Sequence, residues 1–166
     1  MERKYTNEEL TARRLAGVLP HIDVDGRDFI VDWRLRELRA VDDPSNRIGL
    51  GGLPHDSDGE HYLCFYNTKL RQTIIPDIRM TELPKDVVVL TIPSELTLDP
   101  VAVAREYGQA DTFLIDRYPI RDDLKVKVTP IAETEMVQLV SRNREKHRLL
   151  QRNQTVNRKR SKGKGL

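Results

Sequence analysis

Three arginines, Arg144, Arg148 and Arg152, recur every four residues near the end of the chain. On a helix this spacing lines them on one face about 6 Å apart along the axis. Arg142 and Lys146 interleave with them, and Arg158, Lys159, Arg160, Lys162 and Lys164 follow. Guanidinium and ammonium groups in such a run suit one chemistry above others, the neutralisation of successive phosphates on a polyanion. Like charges at this spacing weaken a free helix by a few tenths of a kcal/mol each, which a polyanion would relieve. No aromatic residue occurs from 141 to 166, so base stacking by this segment is excluded. The plainer reading is a solubilising tail.

Other constellations are less specific. "HDSDGEH" gathers His55, Asp56, Asp58, Glu60 and His61, imidazoles and carboxylates that could hold a divalent metal. It surrounds an Asp58-Gly59 turn, however, so a solvated acidic loop is the simpler expectation. Asp77 after Pro76, with Asp123 and Lys125 further on, mimics the acid and D-x-K pair of a metal-dependent nuclease. A strand and two helices are expected between the two parts, where adjacent strands are needed. "VAREYGQADTFLIDRY" has the outline of a helix-turn-helix, with Ala104, Gly108 and Leu114 suitably spaced. Gln109 stands where an apolar residue is usual, and Asp111 and Asp116 would repel phosphates, so an αα-hairpin is expected instead. Asp23 and Asp28 should face each other across a hairpin as exposed carboxylates. "GLGGLP" lacks a following helix to cradle a phosphate. Cys64 alternates with Tyr62 and Tyr66 and reads as a packed thiol. No catalytic residue, cofactor or metal is therefore expected.

Charge is sorted along the chain. The 166 residues carry a net charge of +2, yet residues 141–166 hold ten Lys or Arg against the single acid Glu145. The remainder is acidic, which suggests an interaction tail rather than a basic fold. A lone cysteine rules out an intrachain disulfide. "MERKYTNEEL" lacks the apolar run of a signal peptide, and "VVVLTI" is too short to span a bilayer. A cytoplasmic location is the resulting expectation.

The elements that must position these groups are legible in part. "TNEELTARRLAG" predicts a helix with Thr6 as cap, Glu9 completing a capping box and Gly17 as stop, docking through Leu10 and Leu15. "LPHIDVDGRDFIVDW" predicts a hairpin about Asp25-Gly26, setting Val24 opposite Arg27 and Ile22 opposite Phe29. Phe29, Val31 and Trp33 would face the core. Residues 39–60 read as a long connection and 61–75 as a second hairpin about Asn67-Thr68. "DVVVLTIP" should be the most buried strand. "LDPVAVAREYG" predicts a helix capped by Asp99 with Pro100 at its first position. A short helix over "DTFLIDRYP" and a strand over "LKVKVTP" should follow. A last helix should begin near Ile131, with Met136, Val137, Leu139 and Val140 packing its first half. From about Asn153 the chain reads as disordered.

"LPHIDVDGRDFIVDWRLRELRAVDDPSNRI", "VVVLTIPSELTLDPVAVAREYG" and "RYPIRDDLKVKVTPI" together resemble a group of small uncharacterised proteins of Bacteroidota. The resemblance covers most of residues 19–131. It implies a bacterial, cytoplasmic origin and no particular activity.

The expected fold is α+β, a mainly antiparallel sheet of hairpins with flanking helices. Its organisation is a body over 1–131, a helix over 132–152 and a cationic tail over 153–166. The functional expectation is a non-catalytic accessory protein tethered to DNA or RNA by its basic arm, without sequence preference. The body would be free to meet a protein partner. The alternative is a protein-interaction factor whose tail docks on an acidic partner. A third reading, a metal-dependent hydrolase, lacks an assembled site.

Overall fold

The computed structural model describes residues 4–163, with side chains described through Lys159. The fold is α+β, two four-stranded antiparallel sheets with four α-helices. The first sheet runs β1 (His21–Val24), β2 (Arg27–Asp32), β3 (Glu37–Ala40) and β4 (Arg47–Gly49), in that order. The second contains β5 (His61–Asn67), β6 (Gln72–Ile74), β7 (Val87–Pro93) and β8 (Lys127–Pro130), ordered β6-β5-β7-β8.

The first hairpin has the expected register, with Ile22 opposite Phe29, Asp23 opposite Asp28 and Val24 opposite Arg27. Its two turn residues take left-handed backbone, φ +53° at Asp25 and +83° at Gly26. That conformation matches the turn to the strand twist. Alternation then sends Ile22, Val24, Phe29 and Val31 inward. Trp33 is buried too, but in a 3-10 turn (Trp33–Leu35) rather than a strand. Arg36 in left-handed backbone reverses the chain into β3.

The two sheets share one core. Leu38, Ile48, Leu90, Ile92 and Val126 meet in it, together with Tyr62, Cys64 and Tyr66 from one face of β5. β7 lies inside its sheet between β5 and β8, as its β-branched run suggests. Backbone bonds also stitch the sheets at one edge. Asp23 N–H donates to Leu124 O at 2.9 Å, and Val126 N–H donates to Asp23 O at 2.8 Å. This parallel bridge satisfies groups that would otherwise lie bare on the edge strand β1.

The helices depart from expectation in informative ways. In α1 (Asn7–Leu15) the Thr6–Glu9 capping box is present. Leu10 is buried but Leu15 is 41% exposed, because Arg14, one turn after Leu10, takes the inward position. Asp99 caps α3 (Pro100–Glu106) by accepting from Ala102 N–H at 3.1 Å, after the single turn α2 (Glu95–Leu98). Residues 111–117 do not form the expected helix. They make a run of turns with mostly i to i−3 bonds, such as Phe113 N–H to Ala110 O. β-branched Thr112 and Ile115 and the following Pro119 all disfavour regular helix there. No αα-hairpin or helix-turn-helix results.

Three boundaries also differ. The connection over 39–60 contains β4, whose Ile48 is buried. The second hairpin turns through 68–71, not about Asn67-Thr68. Asn67 stays paired with Gln72, and its Oδ1 accepts from the N–H groups of Lys69 and Leu70. The last helix, α4 (Met136–Gly163), starts later than Ile131, because a 3-10 turn (Ile131–Glu133) and extended Thr134 come first. It also continues past Asn153, where disorder was expected. Arg, Lys and Gln are good helix formers, and no Gly or Pro interrupts before Gly163.

Candidate nucleic-acid interface

The candidate interface is α4, 28 residues and therefore about 42 Å long. Its first turns are seated on the body: Val140 is buried, while Met136 and Leu139 are half-buried. Val137, expected in the same stripe, is 40% exposed. Asn143 extends the seat by a polar route that its sequence position did not suggest. Its Nδ2 donates to the carbonyls of Ile78 and Met80, both at 2.8 Å. Arg144 Nε donates to Thr81 O on the same loop. From Arg144 to Lys159 every residue is exposed.

The sequence-predicted cations therefore fall into distinct situations. Arg144 is tied to the loop, and Arg148 pairs with Glu145 at 2.7 Å. Arg142, Lys146, Arg152, Arg158 and Lys159 are exposed and make no ion pair with the described residues. Arg160 and Lys162 lie on the helix backbone, and Lys164 lies outside the described residues. By helical geometry Arg144, Arg148, Arg152 and Lys159 share one side, while Arg142 and Lys146 point to the other. The acidic body supplies no counter-charge to the free cations. The surface is thus a rod with cations on two flanks, about the width that a major groove of ~12 Å admits.

The other sequence candidates do not assemble a catalytic or metal centre. Among the described residues no group of three His, Cys, Asp or Glu side chains could hold a metal ion. In the acidic loop, His61 Nδ1 lies 2.9 Å from Asp56 Oδ2, while His55 packs on the Tyr62 ring and Asp58 and Glu60 are exposed. Desolvation works against the Asp56 carboxylate, but bonds from His61 outweigh it and hold Asp56 below its usual range. Asp77 accepts from Arg79 N–H within its own loop, and Asp123 pairs with Arg121, so the nuclease pair is spent elsewhere. Asp23 accepts from Gly26 N–H at 2.8 Å, and Asp28 pairs with His21. Burial pushes the Cys64 thiol up to about 11, which leaves it protonated and inert at neutral pH.

One cluster was not legible in the sequence. Trp33 Nε1–H donates to Glu106 Oε2 at 2.9 Å, and Arg36 both pairs with Glu106 and lies 3.9 Å over the Trp33 ring. More than seventy positions in the chain separate Trp33 from Glu106, so only the fold joins them.

No helix among the described residues is long and apolar enough to cross a membrane. No protein family, curated protein or solved structure matches the chain.

Proposed function

We propose that this protein is a small accessory factor that holds nucleic acid through α4, by contact with the phosphate backbone and without sequence preference. The observation that carries this reading is the exposed, uncompensated state of Arg142, Lys146, Arg152, Arg158 and Lys159 on a helix that leaves an acidic body. Counterion release from the polyanion supplies the free energy. Base reading plays little part, because no paired side chains on the arm are organised to grip a base edge. The body contributes no chemistry and is free to meet a protein partner. The setting is the bacterial cytoplasm implied by the resemblance of residues 19–131.

The test is fluorescence anisotropy with labelled duplex DNA, single strands and RNA at low salt. Full-length protein should bind, and deletion of residues 153–166 should weaken binding strongly. Equal binding by the two forms, or no binding by either, removes this reading and leaves docking on an acidic protein.

A further inference from the structure

A cleft of about 550 Å³ opens between the end of α1, the 3-10 turn after β2 and α3. Its size suits a small organic ligand, since such sites occupy roughly 300–1,000 Å³. Four arginines line it, Arg14, Arg34, Arg36 and Arg105, against the three acids Asp32, Asp99 and Glu106.

The acids are already engaged. Asp99 accepts from Arg14 and from Ala102 N–H. Glu106 accepts from Trp33 and Arg36, and Asp32 from Leu35 N–H and Arg39. Arg36 is held by Glu106 and Arg105 by Asp111, which leaves Arg14 and Arg34 as the donors not fully used. Arg14 is 5% exposed, and Asp99 takes up its Nε and Nη2, while Nη1 makes no hydrogen bond among the described residues and stays accessible. Arg34, which also lines the cleft, is exposed and has no counter-ion among the described residues. A largely buried guanidinium with one nitrogen left accessible, in the same cleft as an unpaired one, is a donor-only arrangement, which suits an oxyanion. Leu19, Ala102 and Trp33 supply apolar wall next to it.

We infer that this cleft is a second binding site, for a small organic molecule bearing a phosphate or carboxylate. Arg14 and Arg34 hold the oxyanion, and the Leu19–Ala102–Trp33 wall receives its apolar part. The site is separate from α4 and does not depend on nucleic-acid binding.

Trp33 is the only tryptophan in the chain, so its emission reports this cleft alone. The experiment titrates full-length protein with phenyl phosphate, benzoate, inorganic phosphate and benzyl alcohol while following that emission. The two aromatic anions should give a saturable change across the millimolar range. Inorganic phosphate should compete with them, and neutral benzyl alcohol should not bind. Arg34→Gln, an exposed change that folding should survive, should weaken the anions about tenfold, the worth of a charge-assisted hydrogen bond. Replacing Arg144, Arg148 and Arg152 by Gln should leave the titration unaltered. Absence of saturation, equal binding of benzyl alcohol, or full affinity in Arg34→Gln would each overturn the assignment.

Discussion

Arg14 Nη2 lies 2.9 Å from Asp99 Oδ2, and the two side chains are only 5% and 1% exposed. The pair joins α1 to the start of α3 across 85 positions of sequence. Removing one partner strands the other charge in a poorly solvated place. Asp99→Asn should cost about 3–5 kcal/mol in urea unfolding, although Asn caps a helix as well as Asp does. The double change Arg14→Met with Asp99→Asn should recover much of that loss. A single-variant loss below about 1 kcal/mol would match a surface ion pair instead.

The first hairpin depends on its turn. Gly26 has φ +83°, a conformation that a β-branched residue resists. Gly26→Val should destabilise by about 1–3 kcal/mol. Gly49→Ala provides the contrast, because its backbone is ordinary and a Cβ there meets nothing within 4 Å. Thermal unfolding should show a clear fall for the first and little change for the second.

Asn143 should act as the anchor of α4. Asn143→Ala deletes two bonds to the Ile78 and Met80 carbonyls, each worth about 0.5–1.5 kcal/mol. Loosening of that loop should free the backbone about Arg79, whose side chain is already exposed, so limited trypsin digestion should cut there sooner than in the parent. Mass spectrometry of the early fragments reads the result, and an unchanged order of cleavage would count against the anchor.

Cys64 should resist thiol reagents in the native protein. Burial raises its pKa to about 11, so the folded chain keeps a proton that an unfolded cysteine releases near 8.5. The sign is that this group costs stability as pH climbs from about 8.5 towards 11. An aromatic disulfide reagent at pH 8 should therefore react slowly without denaturant and at once in urea. Rapid reaction in buffer would show the thiol to be open.

Local signals were the readable part of this sequence. Capping at Thr6 and Asp99 and the Asp25-Gly26 turn depend on residues a few positions apart, and all took the expected form. Relations across the chain were hidden. Nothing local marks Arg14 for burial, because its partner lies on another helix. The same holds for the Trp33–Glu106 bond and for Asn143, which interrupts an apolar stripe yet binds the body through its amide. The cations of α4 were visible as composition. Their freedom from the body's acids required the fold.

The most direct measurement of the central claim is the salt dependence of DNA affinity. With about five of the arm's cations on phosphates, log K against log salt should fall with a slope of about −4 to −5 on duplex DNA. Arg142→Gln, Lys146→Gln and Arg152→Gln together, all on exposed and unpaired cations, should make the slope shallower while circular dichroism stays unchanged, since Gln, Arg and Lys have similar helix propensity. A salt-independent affinity, or one unchanged from the parent in both the triple variant and the form lacking residues 153–166, would contradict binding through the arm.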